Sequence, residues 1–243
     1  MDDLSRPTAI ILAGGLGTRL RPVIEDQPKV LAEIKGHPFL KYLLDQLVGW
    51  KIEEVVLCTG YLGDQIESQF GQDYHGIRLI YSREVTPLGT GGALQLALPL
   101  IKSDTVLVLN GDSYCAADFD EFWRWHCLQK SDASLLLLHN SDTSRFGRVQ
   151  IATDGHIEKF DEKDKNSPKP GVINAGIYLI RRSLLESSIP DTGPISLERD
   201  VFPSWIGQNF FGYQTQCPFI DIGTPESYSL AEKFLDNIEA SSK

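Results

Sequence analysis

The apolar run Ile10-Ile11-Leu12-Ala13 ends in three glycines within four positions, Gly14, Gly15 and Gly17, followed by Thr18-Arg19-Leu20-Arg21-Pro22 and then Gln27-Pro28-Lys29. Such a run reads as a buried strand, Thr8 to Leu12, and glycines at its end let bare backbone N–H groups come up to a ligand. Phosphate is the ligand expected. Two common phosphate loops do not fit. The dinucleotide fingerprint needs a third glycine where Leu20 stands, and the P-loop needs lysine and then serine or threonine where this chain has Thr18-Arg19.

Beyond this loop the chain alternates. Pro38-Phe39-Leu40 opens an amphipathic helix to Trp50, with Leu40, Leu43, Leu44, Leu47 and Val48 on one face. Val55 to Thr59 reads as a strand, Leu62 to Phe70 as a helix and Ile77 to Ser82 as a strand. Glu84 to Leu94 is a second glycine-rich loop that opens a helix, and the strand Thr105 to Leu109 runs into Asn110-Gly111-Asp112. This rhythm predicts a mainly parallel sheet, whose ligands lie beyond the carboxyl ends of its strands at a switch in strand order. Phe119 to Gln129 is helical and Ala133 to Leu138 a strand. From Phe146 the pattern changes to a β-hairpin that turns at Asp154-Gly155, then a polar loop from Asp161 to Pro170. A strand from Gly171 to Ile180, a helix capped by Ser196, strands Phe210 to Thr215 and Phe219 to Ile222, and a closing helix from Pro225 to Ile238 complete the reading.

A chain of 243 residues, 42% hydrophobic, fits one α/β domain or two small ones, one being preferred. Its net charge of −10 and pI of about 5.0 argue against a nucleic-acid partner, so anionic ligands must be met by a few local cations and a metal. There is no basic leader and no run of roughly 20 apolar residues, so a cytosolic protein with no membrane partner is expected. Cys58, Cys115, Cys127 and Cys217 form no Cys-x-x-Cys pair and read as reduced thiols. His37, His75, His126, His139 and His156 show no metal spacing and read as structural. Trp123, Trp125 and Trp205 mark core or a dimer face, core being the commoner use, which leaves a monomer or a homodimer open.

Five blocks in chain order resemble the sugar-1-phosphate nucleotidyltransferases, also called nucleotide-sugar pyrophosphorylases. They are the Gly14 to Lys29 loop, Pro87-Leu88-Gly89-Thr90-Gly91-Gly92-Ala93-Leu94, Asn110-Gly111-Asp112, Glu162-Lys163 with Asn174-Ala175-Gly176, and Asp221-Ile222-Gly223-Thr224-Pro225-Glu226. Within that family the combination is most like bacterial D-glycero-D-manno-heptose 1-phosphate guanylyltransferases, which are similar in turn to mannose-1-phosphate guanylyltransferases. The resemblance implies a single-domain α/β fold, Rossmann-like (GT-A-like), with a mixed, mainly parallel sheet flanked by helices and a β-hairpin insertion over the sugar site. About 8–110 would be the nucleotide-binding half and about 111–240 the sugar-phosphate-binding half.

In the implied reaction a sugar-1-phosphate oxygen, already anionic, attacks the α-phosphorus of a nucleoside triphosphate in line, and pyrophosphate leaves. No general base is needed; the site must position two polyanions and neutralise the leaving group. That chemistry calls for arginine, lysine and Mg2+ held by carboxylates. The family match assigns catalysis to Arg19, Lys29, Asp112 and Lys163. It assigns nucleotide binding to Leu12, Ala13, Gly14, Gly15, Gly17, Thr18, Pro87, Gly89, Thr90 and Gly92. Gly111, Gly147, Glu162, Asn174 and Glu198 fall to the sugar, and Asp112 with Asp221 to the metal. Each residue alone has a plainer explanation: a glycine turn, a surface lysine, a capping aspartate, a solvated loop, a core amide. The five blocks together outweigh these. Thr86 stands where relatives commonly have an acidic residue, which bears on base or sugar selectivity. Other readings are a mannose or other hexose 1-phosphate substrate, and a catalytically silent relative that binds a nucleotide sugar; the retained cations and aspartates argue against the latter.

Overall fold

Strand β1 (Thr8–Leu12) lies between two parallel neighbours, and Ala9, Ile10 and Ile11 are fully buried, as a central strand covered on both faces requires. The computed structural model describes residues 6–15, 17–20, 23–24, 26–146, 148–161, 169–190 and 193–241. After β1 come β2 (Glu33–Ile34), β3 (His37–Pro38), α1 (Phe39–Gly49), β4 (Glu54–Thr59), α2 (Gly63–Phe70), β5 (Asp73–Tyr74), β6 (Ile77–Arg83), α3 (Gly89–Ala97) and β7 (Thr105–Asn110). The second half holds β8 (Ser113–Cys115), α4 (Phe119–Gln129), β9 (Ala133–Asn140), β10 (Arg148–Ile151), β11 (Ile157–Asp161), β12 (Gly171–Arg181) and α5 (Arg182–Ser188). A π-helical turn, Leu197–Val201, leads into α6 (Phe202–Trp205), β13 (Phe210–Thr215), β14 (Phe219–Asp221), α7 (Pro225–Ser229) and α8 (Ala231–Ser241).

Ten strands form one sheet in the order β11-β10-β12-β7-β1-β4-β6-β5, with β9 on the other side of β12 and β13 beyond it. The pairs β1–β4, β1–β7, β4–β6 and β9–β13 are parallel; β12 runs antiparallel to both β7 and β9. Alternation along the strands divides the core. Ala9, Ile11, Val55, Leu57, Leu107 and Leu109 face α1, α4 and α8, whereas Ile10, Val56, Val106 and Val108 face α3, α5 and the aromatic group around Trp205. The leucines expected on one face of α1, Leu40, Leu43, Leu44 and Leu47, are all fully buried, each stabilising by about 1.5–3 kcal/mol. Trp205 is core as expected, with its indole N–H donating to Ser188 Oγ at 2.9 Å.

The sheet splits at β12, and the split makes room for a ligand. Ile177–Arg181 pairs with β7, but the ladder with β9 slips between Asn174 and Tyr178. Gly176 turns the chain there with φ +77°, and a Cβ at this position would stand 2.6 Å from Asn110 Nδ2, so only glycine fits. The first half of β12 pairs instead with β10, at Arg148 and Ile173. Thus the β10–β11 hairpin stands where β7 has ended, and a gap opens at the carboxyl end of β7.

Two expectations change and one strand is added. The last two strands lie in different sheets: β13 extends the main sheet, whereas β14 pairs antiparallel with β8, a short strand the sequence reading missed. The helix after Ser196 begins as a π turn; Ser196 Oγ does accept from the Arg199 N–H, at 3.3 Å. The single closing helix is two, parted at Leu230, whose N–H reaches back only three residues to the Ser227 carbonyl.

Candidate functional site

Two cavities open at the split, and they share Asn110 and Asp112. The first, about 290 Å³, has its floor at the carboxyl ends of β1, β4 and β7 and is lined by Leu12 to Gly15, Lys29, Val30, Cys58, Glu84, Pro87, Gly89, Thr90, Ala93, Gly111 and Asp112. Glycines and small side chains share its walls with Lys29, Glu84 and Asp112. Ala13 N–H is held by the Cys58 carbonyl and Gly111 N–H by the Leu12 carbonyl, so β1 and its neighbours register the loop directly. Glu84, half-buried at the end of β6, rests its carboxylate against the backbone of Gly14 and Gly60 and accepts from the Leu88 N–H at 3.0 Å. Burial pushes its carboxyl above the usual range, opposed by that backbone hydrogen bond.

The second cavity, about 690 Å³, lies between β12, the β10–β11 hairpin and the π turn. Val149 and Phe160 of the hairpin, Asn174, Glu198, Arg199, Arg145, Arg19, Asp112 and Asp221 are among its walls. Glu198 is fixed from several sides: Thr90 and Ser196 hydroxyls donate to its Oε2 at 3.1 and 3.0 Å, and the Tyr178 hydroxyl to Oε1 at 3.4 Å. Asn174 Nδ2 donates to the Tyr178 hydroxyl at 2.9 Å, and burial together with the Glu198 charge keeps that phenol neutral by raising its pKa. Thr90 belongs to the wall of the first cavity, so one hydroxyl ties the two walls together.

Charge concentrates at the seam. Lys29 Nζ donates to Asp112 Oδ2 at 2.5 Å, and Ser113 Oγ to Asp112 Oδ1 at 3.2 Å. Burial would lift the Asp112 carboxyl, but the charge and hydrogen bond of Lys29, the Ser113 hydrogen bond and the charge of Arg19 hold it below the ordinary value. The β8–β14 ribbon brings Asp221 alongside: Asp221 pairs with Ser113, and the Ile222 N–H donates to the Asp112 carbonyl at 2.9 Å. Arg145 Nη2 spans both Asp221 oxygens at 2.6 and 2.8 Å and the Ser227 hydroxyl at 3.1 Å. Gly223 lies in the middle. A Cβ there would stand 2.7 Å from Asp221 Oδ1, 3.4 Å from Lys29 Nζ and 3.7 Å from Arg19 Nη2. Asp221, Lys29 and Arg19 thus approach one glycine, with Asp112 paired to Lys29 and Arg145 to Asp221.

The sequence matches the family described as nucleotidyl transferase over residues 8–237. The chain belongs to the nucleotidyl transferase family. It is 38% identical over 231 residues to D-glycero-alpha-D-manno-heptose 1-phosphate guanylyltransferase of Aneurinibacillus thermoaerophilus, covering 94% of this chain and 98% of that protein. It is 34% identical to mannose-1-phosphate guanylyltransferase of Mycobacterium tuberculosis, covering 90% of this chain but spanning only 62% of that longer protein. The fold is similar to that of HddC from Yersinia pseudotuberculosis, with TM-score 0.84, 34% identity and coverage of 94% and 99% of the two chains. HddC complexed with GMP-PN matches with TM-score 0.82. The mixed, mainly parallel sheet flanked by helices is therefore the nucleotidyl transferase fold.

Most of the residues that the sequence singled out in this nucleotidyl transferase converge. Leu12, Ala13, Gly14, Gly15, Pro87, Gly89 and Thr90 line the first cavity with Lys29; Arg19, Asn174, Glu198 and Asp221 line the second; Asp112 lines both. Gly111, expected beside the sugar, lines the first cavity. Gly17 and Thr18 line neither, although Gly17 lies against Lys29 Cβ. Gly92 is buried against Leu88, and Thr86 is exposed outside both cavities. Gly147, Glu162 and Lys163 lie outside the described residues. Sequence reasoning missed Glu84, Asn110 and Arg145. Asn110 and Glu84 each stand at a strand end ahead of a glycine loop, a signal that could have found them; Arg145 carries none.

Proposed function

We propose that this nucleotidyl transferase moves GMP from GTP to D-glycero-D-manno-heptose 1-phosphate, releasing pyrophosphate and forming a nucleotide sugar for surface-polysaccharide assembly. The observation that carries the reaction is the meeting of two cavities at Asp112, beneath the cations Arg19, Lys29 and Arg145. Two polyanions can be laid end to end there, so that the sugar-phosphate oxygen bonds to the α-phosphorus as the bond to the β-phosphate oxygen breaks. The nucleotide half, about 8–110, supplies most of the first cavity, and the sugar half, about 111–240, supplies most of the second. In the first, Glu84 presents a carboxylate acceptor to a base, and guanine is the purine with adjacent N–H donors to match it. Similarity to the heptose and mannose guanylyltransferases supports guanine; the heptose relative also matches along its whole length.

Asp112 and Asp221 fit a divalent cation. They offer oxygen ligands only, Asp112 just ahead of β8 and Asp221 at the end of β14, and Mg2+ takes one or two carboxylates together with substrate phosphate. Mg2+ bound by these two would neutralise charge on the phosphates during transfer. Lys29 pairs with Asp112 and Arg145 with Asp221, and Arg19 lies beside them to meet the triphosphate. Lys163 and Glu162 are assigned to the sugar phosphate and hydroxyls through the family motif, as is Gly147, with Asn174 and Glu198 on the wall. A GTP-consuming reaction and four free thiols fit the cytoplasm, and among the described residues no helix is long and apolar enough to cross a membrane. The second reading, mannose 1-phosphate as acceptor, is favoured by the 34% identity to the mannose enzyme.

Lys29→Ala and Asp112→Asn test the assignment. Each is expected to lower turnover by about 10²–10⁴-fold with little change in unfolding midpoint, and Asp112→Asn to shift the Mg2+ concentration needed for half-maximal rate. Near-normal turnover in both would remove these residues from catalysis.

A further inference from the structure

Outside the site, the β8–β14 ribbon brings two thiols together. Cys115 ends β8, buried; Cys217 precedes β14, half-exposed; their sulfurs are 2.9 Å apart although 102 positions separate them in sequence. The register explains the approach. Cys115 pairs with Phe219, and the Ala116 N–H donates to the Pro218 carbonyl at 2.9 Å, so continuing the ladder sets Cys217 diagonally across from Cys115 on the same face. Cys115 is held by backbone pairing, and the Gln46 side chain further pins its carbonyl at 2.5 Å. The other two thiols are isolated: Cys58 is buried against the Ala93 carbonyl, and Cys127 lies on α4.

We infer that Cys115 and Cys217 form a redox-modifiable dithiol that closes to an intramolecular disulfide on exposure to hydrogen peroxide, cross-linking the ribbon whose ends carry Asp112 and Asp221. Cys217 is the attacking group because it is the more accessible. The two sulfurs share a hydrogen bond in which either can donate; with the buried Cys115 as donor it lowers the Cys217 pKa, while that bond and burial raise that of Cys115. The Cys217 thiolate bonds to one peroxide oxygen as the O–O bond breaks, leaving a sulfenic acid and, after protonation, water. Cys115 then bonds to the Cys217 sulfur as the S–O bond breaks and a second water leaves. Two thiols lose two electrons and two protons, and one hydrogen peroxide is reduced. The bridge needs the sulfurs to close by less than an ångström from where they stand.

The test is hydrogen peroxide titration of the full chain, followed by thiol counting, intact mass and peptide mapping. Expected are the loss of two of the four thiols, a mass lower by two hydrogens, and a 115–217 linked peptide that dithiothreitol releases. Oxidised protein should unfold several degrees higher, because the bridge closes a long loop. Cys217→Ser, conservative at a half-exposed position, should keep its remaining thiols at the same dose, while Cys127→Ser should still form the bridge. Oxidation of Cys217 to sulfinic acid with Cys115 left free, cross-linking between molecules, or four thiols surviving in the wild type would each overturn the inference.

Discussion

Around Gly223 the residues of the site leave no room for a side chain. An alanine Cβ there would stand 2.7 Å from Asp221 Oδ1 and would push that carboxylate away from Arg145, or the Lys29 ammonium away from Asp112. Gly223→Ala is therefore expected to lower turnover about a hundredfold, by displacing charged groups rather than removing them. Near-normal pyrophosphate release from this variant would show that Asp221, Arg145 and Lys29 are not held to tolerance. At this scale much of the site was legible. Lys29, Asp112 and Asp221 follow a proline or end an apolar strand, and those local signals locate a charged group at a sheet edge. Arg145 was not legible: it is one charge in a polar loop, and it acquires partners only when β14 returns to β8.

At the scale of elements, the joint between α4 and β9 gives the fold a pH dependence independent of the site. His126 on α4 is buried, with Nδ1 2.7 Å from Ser134 Oγ on β9, and burial and then the nearby Arg181 push its pKa down to about 4, against a smaller opposing effect of Asp132. The folded imidazole stays neutral where the unfolded one binds a proton, so stability is full above about pH 6.5 and falls as pH drops toward 4. Between pH 7 and pH 5 this residue accounts for a loss of about 2 kcal/mol. Urea unfolding of wild type and His126→Gln at the two pH values should show a smaller loss in the variant; equal losses would contradict the assignment. The histidine, read as structural from its lack of metal spacing, is buried against Ser134 at this joint. The β8–β14 ribbon and the slip in β12 were not foreseen, because three-residue strands and bulges carry too little periodicity to be seen without their partners.

Across the whole molecule, a net charge of −10 coexists with a seam where Arg19, Lys29 and Arg145 converge. The cations are few, and two of them, Lys29 and Arg145, are paired with carboxylates, which suits capture of two small polyanions and not a nucleic-acid backbone. The alternating strands and helices foretold the parallel half of the sheet and its carboxyl-end site. The second half depended on long-range pairing, and its proposed role rests on family motifs. The measurement that tests the account most directly is pyrophosphate release with Mg2+, each nucleoside triphosphate in turn, and a panel of sugar 1-phosphates including mannose and D-glycero-D-manno-heptose. The account predicts release with GTP and the heptose 1-phosphate, well above every other pair. Folded protein that releases no pyrophosphate with any pair would contradict the reaction, and a preference for mannose 1-phosphate or another nucleotide would contradict the specificity.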